Sequence, residues 1–205
     1  MTNRVIGVAL MLALAGACAG KGDEGEAGRP LPNPDASTEL PILPIGGDFT
    51  LTDQNGRPFS LSSLEGQAVL IFFGYTMCPD ACPTTLSKLS TATAKLSGAE
   101  RQRVKVLYIT IDPERDTPAV MKEHLSYFSV DATGLTGSVD DITKVAAQFG
   151  AHFEKTGDQS AAGYLMSHTV SVFGLDAKGR TRLLIDYEAG VDSVVNDIQR
   201  LLAAG

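Results

Sequence analysis

The run from Ala68 to Phe73, AVLIFF, constrains this chain more than any other feature. It shows no alternation, so a strand here must bury side chains on both faces. Such a strand belongs at the centre of a sheet, with helices covering it on either side. The next residues, GYTMCPDACP at 74–83, combine a glycine, two prolines and two cysteines four apart. The strand therefore gives way to a turn and then to a helix whose start carries a thiol pair.

The flanking pattern places that strand in a larger plan. DFTLTDQNGRPFSL, residues 48–61, reads as a hairpin closed by the Asn55-Gly56 turn. Cys82, Leu86, Leu89, Thr93 and Leu96 recur at helical spacing, with Gly98 as the stop. VKVLYITI, residues 104–111, is a second apolar strand. Thr117 then caps a helix with Pro118 in its first turn and Met121, Leu125 and Phe128 on its buried face. Ile142, Val145, Ala146 and Phe149 repeat the spacing in a third helix. HTVSVFGLDAKGRTRLLIDY, residues 168–187, looks like two antiparallel strands, and Val194, Val195, Ile198, Leu201 and Leu202 line a last amphipathic helix. This order predicts an α/β, thioredoxin-like fold with an N-terminal β-hairpin extension over residues 46–205.

The first 45 residues have a different character. Arg4 precedes an apolar run from Val5 to Ala17 that is short for a membrane span, which is the layout of a secretory signal. Within LAGAC, Cys18 resembles the lipidated cysteine of a lipobox, while Ala15-Gly16-Ala17 also reads as an ordinary cleavage site. Residues 1–18 are thus expected to be a signal or lipobox-like anchor. Residues 19–45, which hold five of the ten prolines between Pro30 and Pro44, are expected to be a flexible Gly/Pro/acidic tether. All of these readings put the folded part on the extracytoplasmic, periplasmic side of a bacterial membrane, and the lipobox reading tethers it to that membrane through Cys18. The formal net charge of −7 argues against nucleic acid as a partner.

Four helical residues advance about 6 Å and return nearly to the same face, so Cys78 and Cys82 can form a disulfide, act as a redox couple or grip one metal ion. Cys78 is expected at the helix N-terminus, where free N–H groups favour the thiolate. Pro79 fits the first turn, and Pro83, expected one turn in, implies an irregular start. Three residues separate the thiols, against two in the thioredoxin redox motif, which opens the pair for chelation. A third ligand then has to come from a histidine. His124 is expected on a helix surface, His152 has no soft neighbour, and His168 lies just before a core strand, so His168 is the favoured ligand. Met77 is a soft sulfur whose expected role is packing.

FFGYTMCPDACPTTL, YITIDPERDTP and YLMSHT, in that order, resemble the SCO/SenC family of copper-binding proteins. The resemblance implies a thioredoxin-like metallochaperone that binds one copper, as Cu(I) or Cu(II), through Cys78, Cys82 and His168. It also implies delivery to the binuclear copper centre of cytochrome c oxidase without catalytic turnover. Asp112 matches a recurrent acidic residue near the family's site, and it reads equally well as a turn residue before Pro113. The chain departs from the family at Met77, where histidine is frequent, and at Ser167, where aspartate is frequent. Two thiolates and an imidazole suit copper, and a structural zinc would take a fourth ligand. Implied partners are the oxidase copper-centre subunit and a thioredoxin-like reductant or another copper carrier. The alternative is an extracytoplasmic thiol–disulfide oxidoreductase that keeps the oxidase's copper-site cysteines reduced, for which Cys78 and Cys82 suffice.

Overall fold

Strand β3, Ala68–Gly74, is buried at every one of its seven positions, as a central strand without alternation must be. The computed structural model describes residues 40–160 and 163–204. The anchor segment with Cys18, and residues 19–39 of the expected tether, lie outside them. A seven-stranded sheet runs in the order β2-β1-β5-β4-β3-β8-β9. Its strands are β1 Thr50–Asp53, β2 Pro58–Ser60, β3, β4 Val104–Thr110, β5 Ala132–Thr136, β8 Val172–Leu175 and β9 Thr181–Ile185. β3 pairs parallel with β4, and β4 with β5, whereas β8 runs antiparallel to β3. The β1–β2 hairpin joins the sheet by pairing antiparallel with β5. This is the expected thioredoxin-like plan with its hairpin extension.

Among the described residues five α-helices accompany the sheet: α1 Ala81–Lys95, α2 Gly98–Arg101, α3 Pro118–Ser126, α4 Val139–Phe149 and α5 Val191–Ala203. α1 and α5 are in contact, and each buries an apolar stripe, with Cys82, Leu86 and Leu89 on one and Val194, Ile198 and Leu201 on the other. Fully buried aliphatic and aromatic side chains of this kind each contribute about 1.5–3 kcal/mol. Thr117 caps α3 through its side chain, and Pro118 occupies the first helical position, where a missing N–H costs nothing. α1 stops at Lys95, not at Gly98, because Ser97 and Glu100 form a capping box that starts α2.

Two elements depart from the sequence reading. β6 Phe153–Ser160 and β7 Gly163–His168 form a separate two-stranded antiparallel sheet. Their composition is polar because the ladder is largely solvent-facing, so no apolar run announces it. The segment Leu40–Ile45, expected within the tether, is packed onto the domain. Leu40 is buried, the Leu43 N–H donates to the Thr181 carbonyl at 2.9 Å, and Arg182 donates to the Leu40 carbonyl. Arg182 is itself buried against Asp176 at 2.9 Å, and Arg180 meets the same carboxylate at 2.7 Å. This buried ion network anchors the start of the folded region.

Candidate metal centre

The C-terminal end of β3 delivers the chain into the segment Tyr75–Asp80, and α1 begins at Ala81 with Asp80 as its cap. Cys78 therefore sits in the turn before the helix, and only Cys82 lies in the first helical turn. This corrects the expectation of Cys78 and Pro79 inside the helix. Pro83 is the third helical residue, a position whose N–H has no intrahelical partner, and the start is irregular at Asp80, which has φ −143° and ψ −72° and makes no side-chain capping hydrogen bond. The Cys82 backbone N–H donates to the Cys78 sulfur at 3.4 Å, giving Cys78 the helix-terminal stabilisation by another route.

The third member arrives from the far hairpin. His168 closes β7 opposite Phe153, and its Nδ1 lies 2.8 Å from the Thr169 carbonyl oxygen. A carbonyl can only accept, so Nδ1 carries the hydrogen and Nε2 presents its lone pair. That Nε2 is 3.7 Å from the Cys82 sulfur. Phe72 and Tyr75 meet the imidazole edge-on, at centroid distances of 6.1 and 6.0 Å, and fix its plane. The donor atoms of Cys78, Cys82 and His168 all lie within 4.8 Å of one another, the only such group of three among the described residues. One ion at about 2.0–2.3 Å from each donor would draw this set together. Cys82 is buried and Cys78 half-buried, and both are free thiols.

The two sulfurs share one proton unequally. A hydrogen bond from the Cys82 thiol, reinforced against burial by the backbone N–H groups of Asp80 and Cys82, holds Cys78 far below the ordinary thiol range. The same contact, with burial, pushes Cys82 far above it. The resting pair is a thiolate at Cys78 and a thiol at Cys82. Such a pair is nucleophilic on its exposed side and supplies one anionic sulfur to an incoming cation before any proton leaves.

Asp112 does not join the donors. It is 2% exposed and accepts from the Tyr164 hydroxyl at 2.7 Å and from the Arg115 guanidinium. Arg115 also donates to the Tyr164 carbonyl at 3.0 Å and lies 3.8 Å over its ring. Asp112 thereby ties the loop after β4 to the hairpin that carries His168. Asp116, not singled out in the sequence, has the corresponding task for the cysteines. Its carboxylate accepts from the Thr76 N–H at 3.0 Å, the Thr76 hydroxyl at 2.6 Å and the Thr110 hydroxyl at 2.7 Å, pinning the turn before Cys78. Burial nevertheless leaves its pKa raised. The second aspartate of DPERDTP was the available signal.

Three further expectations need correction or placement. Met77 does not pack: it is 57% exposed beside Cys78. His124 is not a surface residue but half-buried, its ring against those of Tyr108 and Phe128 at 5.9 and 5.3 Å, because α3 turns that face toward β4. His152 is exposed and joins the hairpin only through its backbone.

The geometry has counterparts in known proteins. A family model described as SCO1/SenC matches residues 38–203. An SCO2-like protein of Rickettsia felis is 40% identical over 137 residues, which are 66% of this chain and 66% of that protein. The structure of Bradyrhizobium japonicum ScoI with copper bound is 39% identical, with a TM-score of 0.70, covering 77% of this chain and 99% of that one. The crystal structure of yeast Sco1 with copper bound is 30% identical, with a TM-score of 0.73, covering 80% of this chain and 91% of that one. With four-fifths of its length inside the family match and the fold shared with two copper-bound relatives, this chain belongs to the SCO1/SenC family.

Proposed function

We propose that this protein is a copper metallochaperone, which binds one copper through Cys78, Cys82 and His168 and passes it to the binuclear copper centre of cytochrome c oxidase. The observation that carries the reading is the convergence of two sulfurs and an Nε2 lone pair within 4.8 Å, in a chain related to copper-bound proteins. Two soft thiolates and an imidazole accept both Cu(I) and Cu(II). Three donors leave a coordination position open, through which a recipient's ligands can enter before the donor's let go. Half-exposed Cys78 faces that route, carried on a turn closed by its own N–H to the Tyr75 carbonyl at 3.2 Å and tied to Asp116 through Thr76. Copper is cargo here, held reversibly, and the Asp112 and Asp116 networks preset the donors so that little reorganisation accompanies binding.

Cys18 is proposed as a lipid attachment point, with the segment between it and Leu40 as a tether that lets the domain reach a membrane partner. No helix among the described residues is long and apolar enough to cross a membrane.

A second reading is favoured by one observation, the thiolate–thiol division of the pair, which suits Cys78 to attack a partner's disulfide. His168 separates the two. Its replacement by alanine leaves a competent dithiol but a two-coordinate metal site. Under limiting copper, cells carrying His168→Ala and cells carrying Cys78→Ser are both expected to fail in assembling the oxidase copper centre. Normal assembly with His168→Ala alongside failure with Cys78→Ser would replace metal delivery with dithiol reduction.

A further inference from the structure

Among the described residues, the β6–β7 hairpin that carries His168 stands apart from the seven-stranded sheet as a ladder of two strands. Such a ladder is marginal by itself, so the place of His168 depends on what fastens the hairpin to the rest of the chain. One guanidinium gathers several of those ties. Arg115, in the loop after β4, donates through Nη1 to the Tyr164 carbonyl at 3.0 Å and lies 3.8 Å over the Tyr164 ring. Its Nε donates to Asp112, whose other oxygen accepts from the Tyr164 hydroxyl at 2.7 Å. On the cysteine side, the same guanidinium lies 5.9 Å from the centre of the Tyr75 ring. The Tyr75 hydroxyl accepts the Met166 N–H at 3.3 Å, and its ring meets the His168 imidazole edge-on. Tyr164, Met166 and His168 alternate along β7, so all three side chains lie on its less exposed face. The next residue in the loop, Asp116, holds the Thr76 N–H and hydroxyl just before Cys78. Consecutive residues of one loop thus reach the two halves of the donor set.

We infer that Arg115 is a positioning residue for the metal centre. Its planar fork and its ring contacts set the separation between His168 and the thiols, and so decide whether an ion meets three donors or two. Lysine in its place would keep the charge but not the flat contact, because an ammonium is a point donor on a flexible stem. The hairpin would then stay paired with itself but would no longer be held at Tyr164, and His168 would lose its fixed distance to Cys82. Cu(II) would suffer more than Cu(I), for which two thiolates suffice. The inference rests on His168 being a copper ligand together with Cys78 and Cys82.

The test is Arg115→Lys in the purified, reduced chain, with Lys155→Met as control. Lys155 also lies over the Tyr164 ring, at 4.5 Å, and pairs with Glu114, but both partners of that pair are exposed, so its loss should change little. In the copper-free chain, Arg115→Lys should speed amide hydrogen exchange at Met166 by about tenfold, while the amides of β3 and β4 keep their wild-type rates. With one equivalent of Cu(II), it should lose the nitrogen hyperfine coupling that His168 gives the wild type and bind the ion about 10–100-fold more weakly. Tyr164→Leu removes the other half of the contact and should give the same pair of changes, so the outcome does not hang on one variant folding. An arginine that only stabilises the fold would lower the unfolding temperature and leave the coupling in place. Wild-type coupling in Arg115→Lys and Tyr164→Leu, or an equal loss of it in Lys155→Met, would overturn this inference alone. A wild type with no nitrogen coupling would overturn the three-donor reading and this inference with it.

Discussion

Replacing Gly74 by alanine should damage the metal site more than the fold. Gly74 ends β3 against the Cys82 sulfur and the edge of Tyr108, and a Cβ there would stand 2.9 Å from the sulfur, from the Tyr108 Cε2 and from its hydroxyl. Ordinary contacts begin near 3.4 Å, so the sulfur or the ring must retreat by about half an ångström. The strand cannot yield, since β3 is paired on both edges and buried along its length. Overpacking of this kind costs about 1–3 kcal/mol. The site is less forgiving, because ligand distances are held to about 0.2 Å, and disturbing the support of a ligand costs about 10–100-fold in metal affinity. Gly134→Ala is the control. It crowds Leu125 and Met121 at 2.9 and 3.0 Å where α3 packs on β5, so its nearest contacts are these two side chains and not the thiols. Guanidinium unfolding and competition for Cu(I) with a chromogenic chelator should show both variants destabilised but only Gly74→Ala impaired in binding. Wild-type affinity in Gly74→Ala, or an equal loss in the two variants, would refute the reasoning.

Other parts of the structure give separate expectations. Arg182→Met leaves the fully buried Asp176 with the half-buried Arg180 as its one arginine partner, so unfolding free energy should drop by about 3–5 kcal/mol in chemical denaturation. Asp176 is pushed up by burial but pulled further down by hydrogen bonds from Arg180, Lys178 and Arg182, so its folded pKa is depressed. Its stabilisation is therefore present above the unfolded carboxylate pKa of about 4 and is lost as pH falls through the folded value. Asp176→Asn should flatten that acid limb in a pH series of melts. For the N-terminus, Cys18→Ser should release the protein into the soluble extracytoplasmic fraction or stall its processing, and unchanged membrane retention of a cleaved protein would exclude the lipid.

What the sequence revealed and what it hid follow from burial. β3 and β4 were legible as unbroken apolar runs, buried along all or most of their length, and the stripes of α1, α4 and α5 because their side chains are sorted by burial at a period of 3.6 residues. β5 was not, because ATGLT is short and Gly134, needed where α3 packs close, interrupts its apolar run. The β6–β7 hairpin was hidden by its polar, exposed faces, yet it carries His168. That histidine was legible from its place before a core strand in a thioredoxin-like order and then from the family's motifs, since nothing in spacing alone brings residue 168 to residue 82. Leu40–Ile45 read as tether because Pro41 and Pro44 signal no regular structure, whereas extended chain can be fixed by a carbonyl accepting from Arg182.

The central claim, one copper held by two sulfurs and one nitrogen, is tested most directly by X-ray absorption on the reduced chain loaded with a single equivalent of Cu(I). The account predicts a first shell of two sulfurs and one nitrogen in the wild type, loss of the nitrogen alone in His168→Ala, and no sulfur-ligated copper once Cys78 and Cys82 are joined as a disulfide. A shell of oxygen and nitrogen donors, or the same shell in reduced and oxidised protein, would contradict it.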